Sequence, residues 1–240
     1  KEEFPEALEG EKFYLLGLAW ESLGNDELAM QMFTHAADRY RRNGVLAKAL
    51  RSHFNAVVAD SRVHPHKNFI ADYEAVIQES QQIGEKTSRG FARVMLAREY
   101  QIVGLCTKAL AMVDEGLKDF ELERGAHHHF HALLQKAHIL FDLGRKSEIA
   151  ELLQECELAD FPSIRAARML LTVALDPAKS WDKNLEKDLL PTWKNRLPLL
   201  LGDRNVVAGM GAATELERSL LRFAYNGPIE KWDLIAKLYP

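Results

Sequence analysis

Four histidines lie almost side by side in the sequence, at positions 127, 128, 129 and 131, and His138 follows seven residues after the last of them. Imidazoles are common zinc ligands, so this cluster is the clearest indication of possible metal chemistry. On a helix, His127 and His131 share a face, but His138 lies about 10 Å further along the axis than His131. Two imidazoles without a carboxylate make an incomplete zinc site. We therefore predict neither a metal site nor a cofactor.

The sequence contains no motif of the common catalytic classes. The string Gly144-Arg145-Lys146-Ser147 lacks the spacing of a phosphate-binding loop, and Gly209-Met210-Gly211 does not follow a strand. Cys106 and Cys156 fall on predicted helices, where a buried and unreactive thiol is the usual state. Nothing beyond the abundance of histidine favours catalysis, and we predict that the chain is not an enzyme.

Composition places the 240 residues among soluble globular proteins, with 47% hydrophobic and 28% charged residues. The net charge of -4 argues against a uniformly polyanion-binding surface. No apolar run approaches the length of a membrane span, and two cysteines cannot form a disulfide framework. We expect a cytoplasmic protein with no membrane partner. Because the first residue is Lys1 and not Met, we also expect the chain to be part of a longer protein.

Elements that could position these residues are almost all helical, because apolar residues recur at three- and four-residue steps and no strand-like alternation is present. Turn signals rich in glycine separate the periodic segments. The pattern predicts helices at about 9–23, 27–42, 45–60, 67–83, 88–103, 106–123, 127–143, 146–158 and 163–175. Two further helices are predicted at 181–190 and 193–201.

An internal period of 40 residues relates Gly24, Gly104 and Gly144, with one register between them unmarked. Seven residues before each glycine a small residue allows two helices to approach closely, and large residues at other positions fill the adjoining space. The matched positions, given relative to the glycine, are Gly17, Ala97 and Ala137 (seven before); Trp20, Tyr100 and Leu140 (four before); Leu23, Val103 and Leu143 (one before); Ala29, Ala109 and Ile149 (five after); Phe33, Val113 and Leu153 (nine after); and Ala36, Gly116 and Cys156 (twelve after).

The spacing of these residues in the first copy, from Leu16 to Ala36, resembles a tetratricopeptide repeat (TPR), and the copies after Ala97 and Ala137 resemble it more loosely. The resemblance covers about residues 9–158, with a period longer than the usual 34. The second copy, between residues 45 and 84, keeps a helix pair, with Ala56, Ala59, Ala71 and Ala75 as its predicted small packing positions. What the resemblance implies is an all-α, right-handed solenoid of antiparallel helix pairs, which binds peptides or protein surfaces and rarely carries catalysis.

Ligand contacts in the resembled family lie on the first helix of each pair, which lines a concave groove. Transferred to this sequence, those positions select a mixed set of aromatic, aliphatic and polar residues: Tyr14, Leu18, Phe91, Val94, Arg98, His131, Leu134, His138 and Asp142. The Lys/Asn pattern with which some family members hold a terminal carboxylate is missing, so that ligand class is disfavoured. Arg98 is predicted to pair with an acidic group of a partner, or alternatively to be solvated or paired within the chain.

The C-terminal third is predicted to cap the repeats. We expect repeats over residues 1–160, capping helices over 161–205, and two short helices over 206–240. The segment Thr214–Tyr239, with Gly227-Pro228 between its helices, resembles the first two helices of a bacterial winged-helix DNA-binding domain. Two small helices packed on the end of the repeats are the alternative interpretation.

Two functions from different classes follow from these observations. The first is a non-catalytic interaction module, regulatory or scaffolding, whose partner is a protein or a peptide. The alternative is the sensory half of a transcription regulator that would contact DNA only through a winged helix continuing past residue 240. The sequence predicts no oligomeric state.

Overall fold

A computed structural model describes residues 6–64, 67–176 and 178–189, and within them the chain is helical. The α-helices are α1 (Glu6–Ser22), α2 (Asp26–Arg42), α3 (Leu46–Val63), α4 (Ile70–Ile83), α5 (Lys86–Ile102), α6 (Cys106–Asp119), α7 (His127–Asp142), α8 (Ile149–Glu155) and α9 (Pro162–Leu175). Short 3₁₀ turns lie at Glu121–Glu123, Lys146–Glu148, Cys156–Leu158 and Lys183–Asp188. The chain divides into two compact units, residues 1–96 and 97–240, which are described separately below.

The helices α1 to α5 end at nearly constant intervals. Positions 24, 44, 84, 104 and 144 are glycines with φ between 70° and 83°, so each terminates its helix in the left-handed conformation that other residues adopt only with strain. Between Gly24 and Gly104 their spacing shows a step of 20 residues, half of the period that the sequence pattern indicates. The helices α6 and α8 end without such a glycine, with Phe120 and Cys156 as their C-caps. Residue 64, the unmarked register, is His64, and α3 ends there with φ of -121°.

In the first unit, the close approach of α1 and α2 depends on two glycines. A Cβ atom at Gly17 would lie 2.6 Å from the ring of Phe33, and a Cβ at Gly10 would lie 2.8 Å from the ring of Tyr40. Both rings are almost completely buried. The small-to-large complementarity predicted at Gly17 is therefore a direct backbone-to-ring contact.

The second helix pair, α3 and α4, is present, but only half of its predicted small packing positions are buried. Ala56 and Ala59 pack with Ala29 and Phe33 in one apolar cluster. In contrast, Ala71 and Ala75 are exposed, and the prediction was wrong for them. The buried stripe of α4 consists of Tyr73, Val76 and Ser80, which is offset from the alanines by a fraction of a turn.

The second unit is organised around α7, which is buried on nearly all sides between α6, α8 and α9. Its apolar residues form one core with α8 and α9, in which Leu134, Leu140, Ile149, Leu170 and Leu171 are at most 1% exposed. No described helix is long and apolar enough to cross a membrane.

Three predicted helices differ from those in the structure. The one expected at 106–123 ends at Asp119 and continues as a 3₁₀ turn, and the one expected at 146–158 contains only seven α-helical residues between two 3₁₀ turns. At 181–190 the structure has only the 3₁₀ turn Lys183–Asp188, which Asp182 caps by accepting from the Asn184 amide. The predicted helix at 193–201, the linker at 202–212 and the two helices within 214–239 lie outside the described residues.

Candidate functional site

Three of the first helices of the pairs, α1, α5 and α7, carry all of the residues predicted to contact a ligand. In the second unit, the C-terminal part of α5 faces α7 through a buried polar cluster. The Gln101 amide nitrogen donates to His138 Nδ1 at 3.0 Å and to Asp142 Oδ2 at 2.5 Å, and the Gln101 oxygen accepts from Gln135 Nε2 at 2.6 Å. All four side chains are at most 4% exposed.

This arrangement fixes the state of the imidazole. Because His138 Nδ1 accepts from an amide N–H, its proton must be on Nε2 when the ring is neutral. The Nε2 atom lies 3.9 Å from Asp142 Oδ1. The cluster thus gives the buried Asp142 carboxylate a donor, and it fixes the relative register of α5 and α7. Two of the predicted ligand residues, His138 and Asp142, are occupied in this way.

Arg98 precedes Gln101 by almost one turn of α5 and is only partly exposed. Its Nε atom is buried and has no hydrogen-bond partner. Among the described residues, no carboxylate forms an ion pair with its guanidinium. A guanidinium that has lost part of its hydration without gaining an anion is unfavourable in the free protein, and its free energy improves when an anion arrives.

Leu134 is completely buried and His131 is partly exposed. The His131 ring stacks on His127 with centroids 6.5 Å apart. Of the predicted positions in this unit, Arg98 and His131 keep surface open to solvent. The other three, Leu134, His138 and Asp142, are buried.

In the first unit, the predicted positions also differ in their solvent exposure. Leu18 is 38% exposed, whereas Val94 is 3% exposed. Tyr14 is half-buried and its ring lies 5.8 Å from that of Phe33. Phe91 is also half-buried, with its ring 5.8 Å from that of Phe54.

Two cations on α3, Lys48 and Arg62, form ion pairs with carboxylates of α1 and of the start of α2. Lys48 Nζ lies 2.7 Å from Glu11 Oε2, which also accepts from the Tyr40 hydroxyl at 2.6 Å. The hydrogen bonds from Lys48 and Tyr40 hold the pKa of Glu11 below its ordinary value. Arg62 lies 2.7 Å from Glu21 and 3.1 Å from Asp26. Lys48 and Arg62 therefore have ion-pair partners of the kind that Arg98 lacks within the described residues.

Comparison with known proteins identifies the fold. No family model and no curated protein matches the sequence. The structure resembles that of the Rap conjugation gene regulator of the plasmid pLS20, solved in complex with the Phr* peptide, with a TM-score of 0.71 and 15% identity over 99% of this chain. This chain spans 66% of the length of that regulator.

A second similar structure is a protein of Podospora anserina described as a kinesin light chain with nearly identical TPR-like repeats. Its TM-score is 0.50 and its identity 15%, over 92% of this chain and 97% of that one. The predicted TPR-like, all-α helical-repeat fold is confirmed by these likenesses. At this identity they show the fold alone.

The histidine cluster takes part in packing and local hydrogen bonding. His127 Nε2 lies 3.1 Å from the Ser163 hydroxyl, and its ring meets that of Phe161 edge-on. Burial, with a contribution from the neighbouring His128, lowers the pKa of His127. His129 Nε2 lies 3.0 Å from Glu155 Oε1. Over the described part of the chain, no three His, Cys, Asp or Glu side chains are placed to hold a metal ion.

Cys156 is completely buried at the small packing position of the fourth pair. Burial, reinforced by the nearby Glu155 carboxylate, raises the pKa of the Cys156 thiol to about 12. The thiol is thus protonated at neutral pH, which is the opposite of the thiolate character that a nucleophile needs.

Sequence reasoning missed Gln101 as a member of the site. The residue stands three positions before Gly104, a position that the repeat pattern does not include. A polar side chain on a predicted helix was the available signal, because such a residue, when buried, needs a hydrogen-bond partner from a neighbouring helix.

Proposed function

We propose that this protein is a non-catalytic module that binds a peptide or a protein segment on the first helices of its repeats, with Arg98 taking an acidic side chain of the ligand. The observation that carries the proposal is the partly buried Arg98 guanidinium, whose Nε has no hydrogen-bond partner. An incoming carboxylate would form charge-assisted hydrogen bonds at a position where part of the desolvation cost has already been met.

The predicted contact residues form two groups, those with exposed surface and those that are buried. We infer that Arg98 and His131 of the second unit touch the ligand, because each retains exposed surface. In the first unit, Tyr14, Leu18 and Phe91 also retain exposed surface and stay predicted contacts. The buried residues of the predicted set would position the contact residues and not touch the ligand; they are Val94, Leu134, His138 and Asp142. Peptide binding by the regulator of similar fold supports this role, and we propose that binding here is regulatory as well.

The domain assignment belongs to the same proposal. Residues 1–160 would carry the ligand, and residues 161–205 would cover the end of the repeats. The winged-helix alternative concerns residues 214–239, outside the described part of the chain, and stays a prediction.

The test uses a phage library of random dodecapeptides panned against the whole chain, followed by affinity measurements on synthetic copies of the enriched peptides. We expect the enriched peptides to contain Asp or Glu, and Arg98→Ala to weaken their binding about 10-fold or more, the value of a charge-assisted hydrogen bond. Arg98→Lys should recover only part of the affinity, because lysine lacks the bidentate geometry.

Arg145→Ala is the matched control, since Arg145 is an exposed arginine of the same unit that is already paired with Glu148. It should leave the affinity unchanged. Enriched peptides that bind Arg98→Ala as tightly as the wild type, or that show no excess of acidic residues, would contradict the proposal.

A further inference from the structure

A cavity of about 480 Å³ opens in the second unit where the start of α7, the end of α8 and the start of α9 meet. It is bounded by the segment before α7 and by the segment between α8 and α9. The helix α8 is only seven residues long and is followed by the 3₁₀ turn Cys156–Leu158, whose last residue lines the cavity. We call this cavity the rim pocket; its main lining residues are Arg124, Phe130, Glu155, Leu158, Asp160 and Phe161.

The rim pocket has an apolar floor. The ring centroids of Phe130 and Phe161 lie 6.3 Å apart, with the rings inclined to each other. The His127 ring contacts Phe161 in an edge-to-face arrangement, with the centroids 5.0 Å apart. Leu158, at the mouth of the pocket, is 83% exposed. A large exposed leucine beside two aromatic rings gains free energy when another apolar side chain covers it.

Two carboxylates, Glu155 and Asp160, line the pocket. They belong to residues 149–160, which contain four carboxylates and no lysine or arginine, although Glu157 is paired with Arg168 at 2.7 Å. The Asp160 side chain is completely exposed, with Arg165 no closer than 3.8 Å. Glu155 accepts from His129 but keeps 45% of its side-chain surface exposed. Arg124 also lines the pocket, so a cation that enters it is attracted to Glu155 and Asp160 and repelled by Arg124.

We propose that the rim pocket docks a segment of a protein partner in which an aliphatic or aromatic side chain is adjacent to an arginine or lysine. The apolar side chain covers Leu158 and the two phenylalanines, and the basic group pairs with Asp160 and Glu155. None of these residues belongs to the set proposed above for the acidic ligand, so this second contact has the opposite charge preference and does not depend on the first.

The probe is an array of synthetic peptides of the form acetyl-Gly-Gly-X-Z-Gly-Gly-amide. Position X is Leu, Phe or Trp, and position Z is Arg, Lys, Gln or Glu. Binding of the fluorescently labelled whole chain should follow the order Arg or Lys, then Gln, then Glu. We expect the extremes to differ about 3- to 10-fold, as exposed ion pairs of this kind allow.

The double variant Glu155→Gln with Asp160→Asn should make binding independent of Z, and Leu158→Ser should weaken binding to every peptide. Because Asp160 and Leu158 are exposed, their substitution should not disturb folding. Unfolding curves by circular dichroism check that every variant is folded. Glu151→Gln, an exposed change on the same helix, is the control and should preserve the order. Absence of binding, an order that ignores Z, or an order that survives the double variant would overturn the proposal. Arg98→Ala should leave this binding unchanged, which separates it from the proposed acidic ligand.

Discussion

Replacing Gly17 by alanine should destabilise the first unit even though alanine is the better helix former. The new Cβ would lie 2.6 Å from the ring of Phe33. Carbon atoms in favourable contact are about 3.5–4.0 Å apart, so either the ring or α1 must move by about 1 Å. Phe33 is completely buried and packs on Ala29, Ala56 and Ala59, which leaves it no free direction.

The expected size follows from two opposing effects. Overpacking a tight core costs about 1–3 kcal/mol, and replacing glycine by alanine inside a helix returns about 1 kcal/mol. We therefore expect Gly17→Ala to lower the free energy of unfolding by about 1 kcal/mol. The exposed residue Ala19, on the same helix, calibrates the second effect, because Ala19→Gly should cost about 1 kcal/mol from helix propensity alone.

A compensating substitution tests the geometry directly. The fourth copy has Ala137 and Leu153 where the first has Gly17 and Phe33, and Ala137 and Leu153 belong to one core. Phe33→Leu alone leaves unfilled space and should cost about 1–2 kcal/mol. In the Gly17→Ala background it should cost at least about 0.5 kcal/mol less, since the Cβ occupies the vacated volume.

Urea unfolding of the whole chain followed by circular dichroism gives these free energies, and amide hydrogen exchange in α1 and α2 localises them to the first unit. If Gly17→Ala stabilised the chain by the full helix-propensity gain, or if the two substitutions were additive, the close contact would not be what selects glycine there.

Two further predictions concern polar contacts. The pKa of Glu11 is lowered in the folded chain, so its hydrogen bonds with Lys48 and Tyr40 contribute stability that is present above the ordinary carboxyl pKa and is lost as the pH falls through the lowered value. The difference in unfolding free energy between wild type and Glu11→Gln, measured by urea unfolding, should therefore shrink over that acidic range. A constant difference would refute the reasoning. Gln101→Leu should lower the free energy of unfolding by about 1–3 kcal/mol, because the buried Asp142 loses its amide donor. Asp142→Asn in the same background should recover part of that loss in thermal unfolding. No recovery would show that the carboxylate is not the group left unsatisfied.

The repeat pattern could be predicted because it depends on local rules. A helix end marked by glycine and a small residue seven positions earlier are both visible in one copy without knowledge of its neighbours. The structure accordingly buries Ala97 and Ala137 to within 1% and ends α5 and α7 just before the marked glycines. The lengths of α6 and α8 could not be predicted in this way, because a 3₁₀ turn of three residues is too short to show an apolar period different from that of an α-helix.

The polar stripe of α7 shows why the contact residues were harder to predict than the helix itself. His131, Gln135, His138 and Asp142 recur at three- and four-residue steps, which is typical of a face exposed to solvent. The same stripe is equally compatible with a polar residue on an adjacent helix. The structure provides one in Gln101, and three of the four side chains are buried against it or beside it. A single sequence cannot distinguish the two outcomes, because the partner lies some 35 to 40 residues away and pairs only in the folded chain.

The same contrast separates the residues that hold the fold from those available to a ligand. The Gln101 amide and the Asp142 carboxylate are within hydrogen-bond distance of protein partners, so a ligand that contacted them would have to break existing bonds. Arg98 lies less than one turn away on the same helix, and its Nε has no such bond to break. In the binding mode proposed here, Arg98 is the group of this set that a ligand carboxylate would reach without breaking such a bond at Nε. We therefore expect substitutions at Gln101 to alter stability and substitutions at Arg98 to alter affinity.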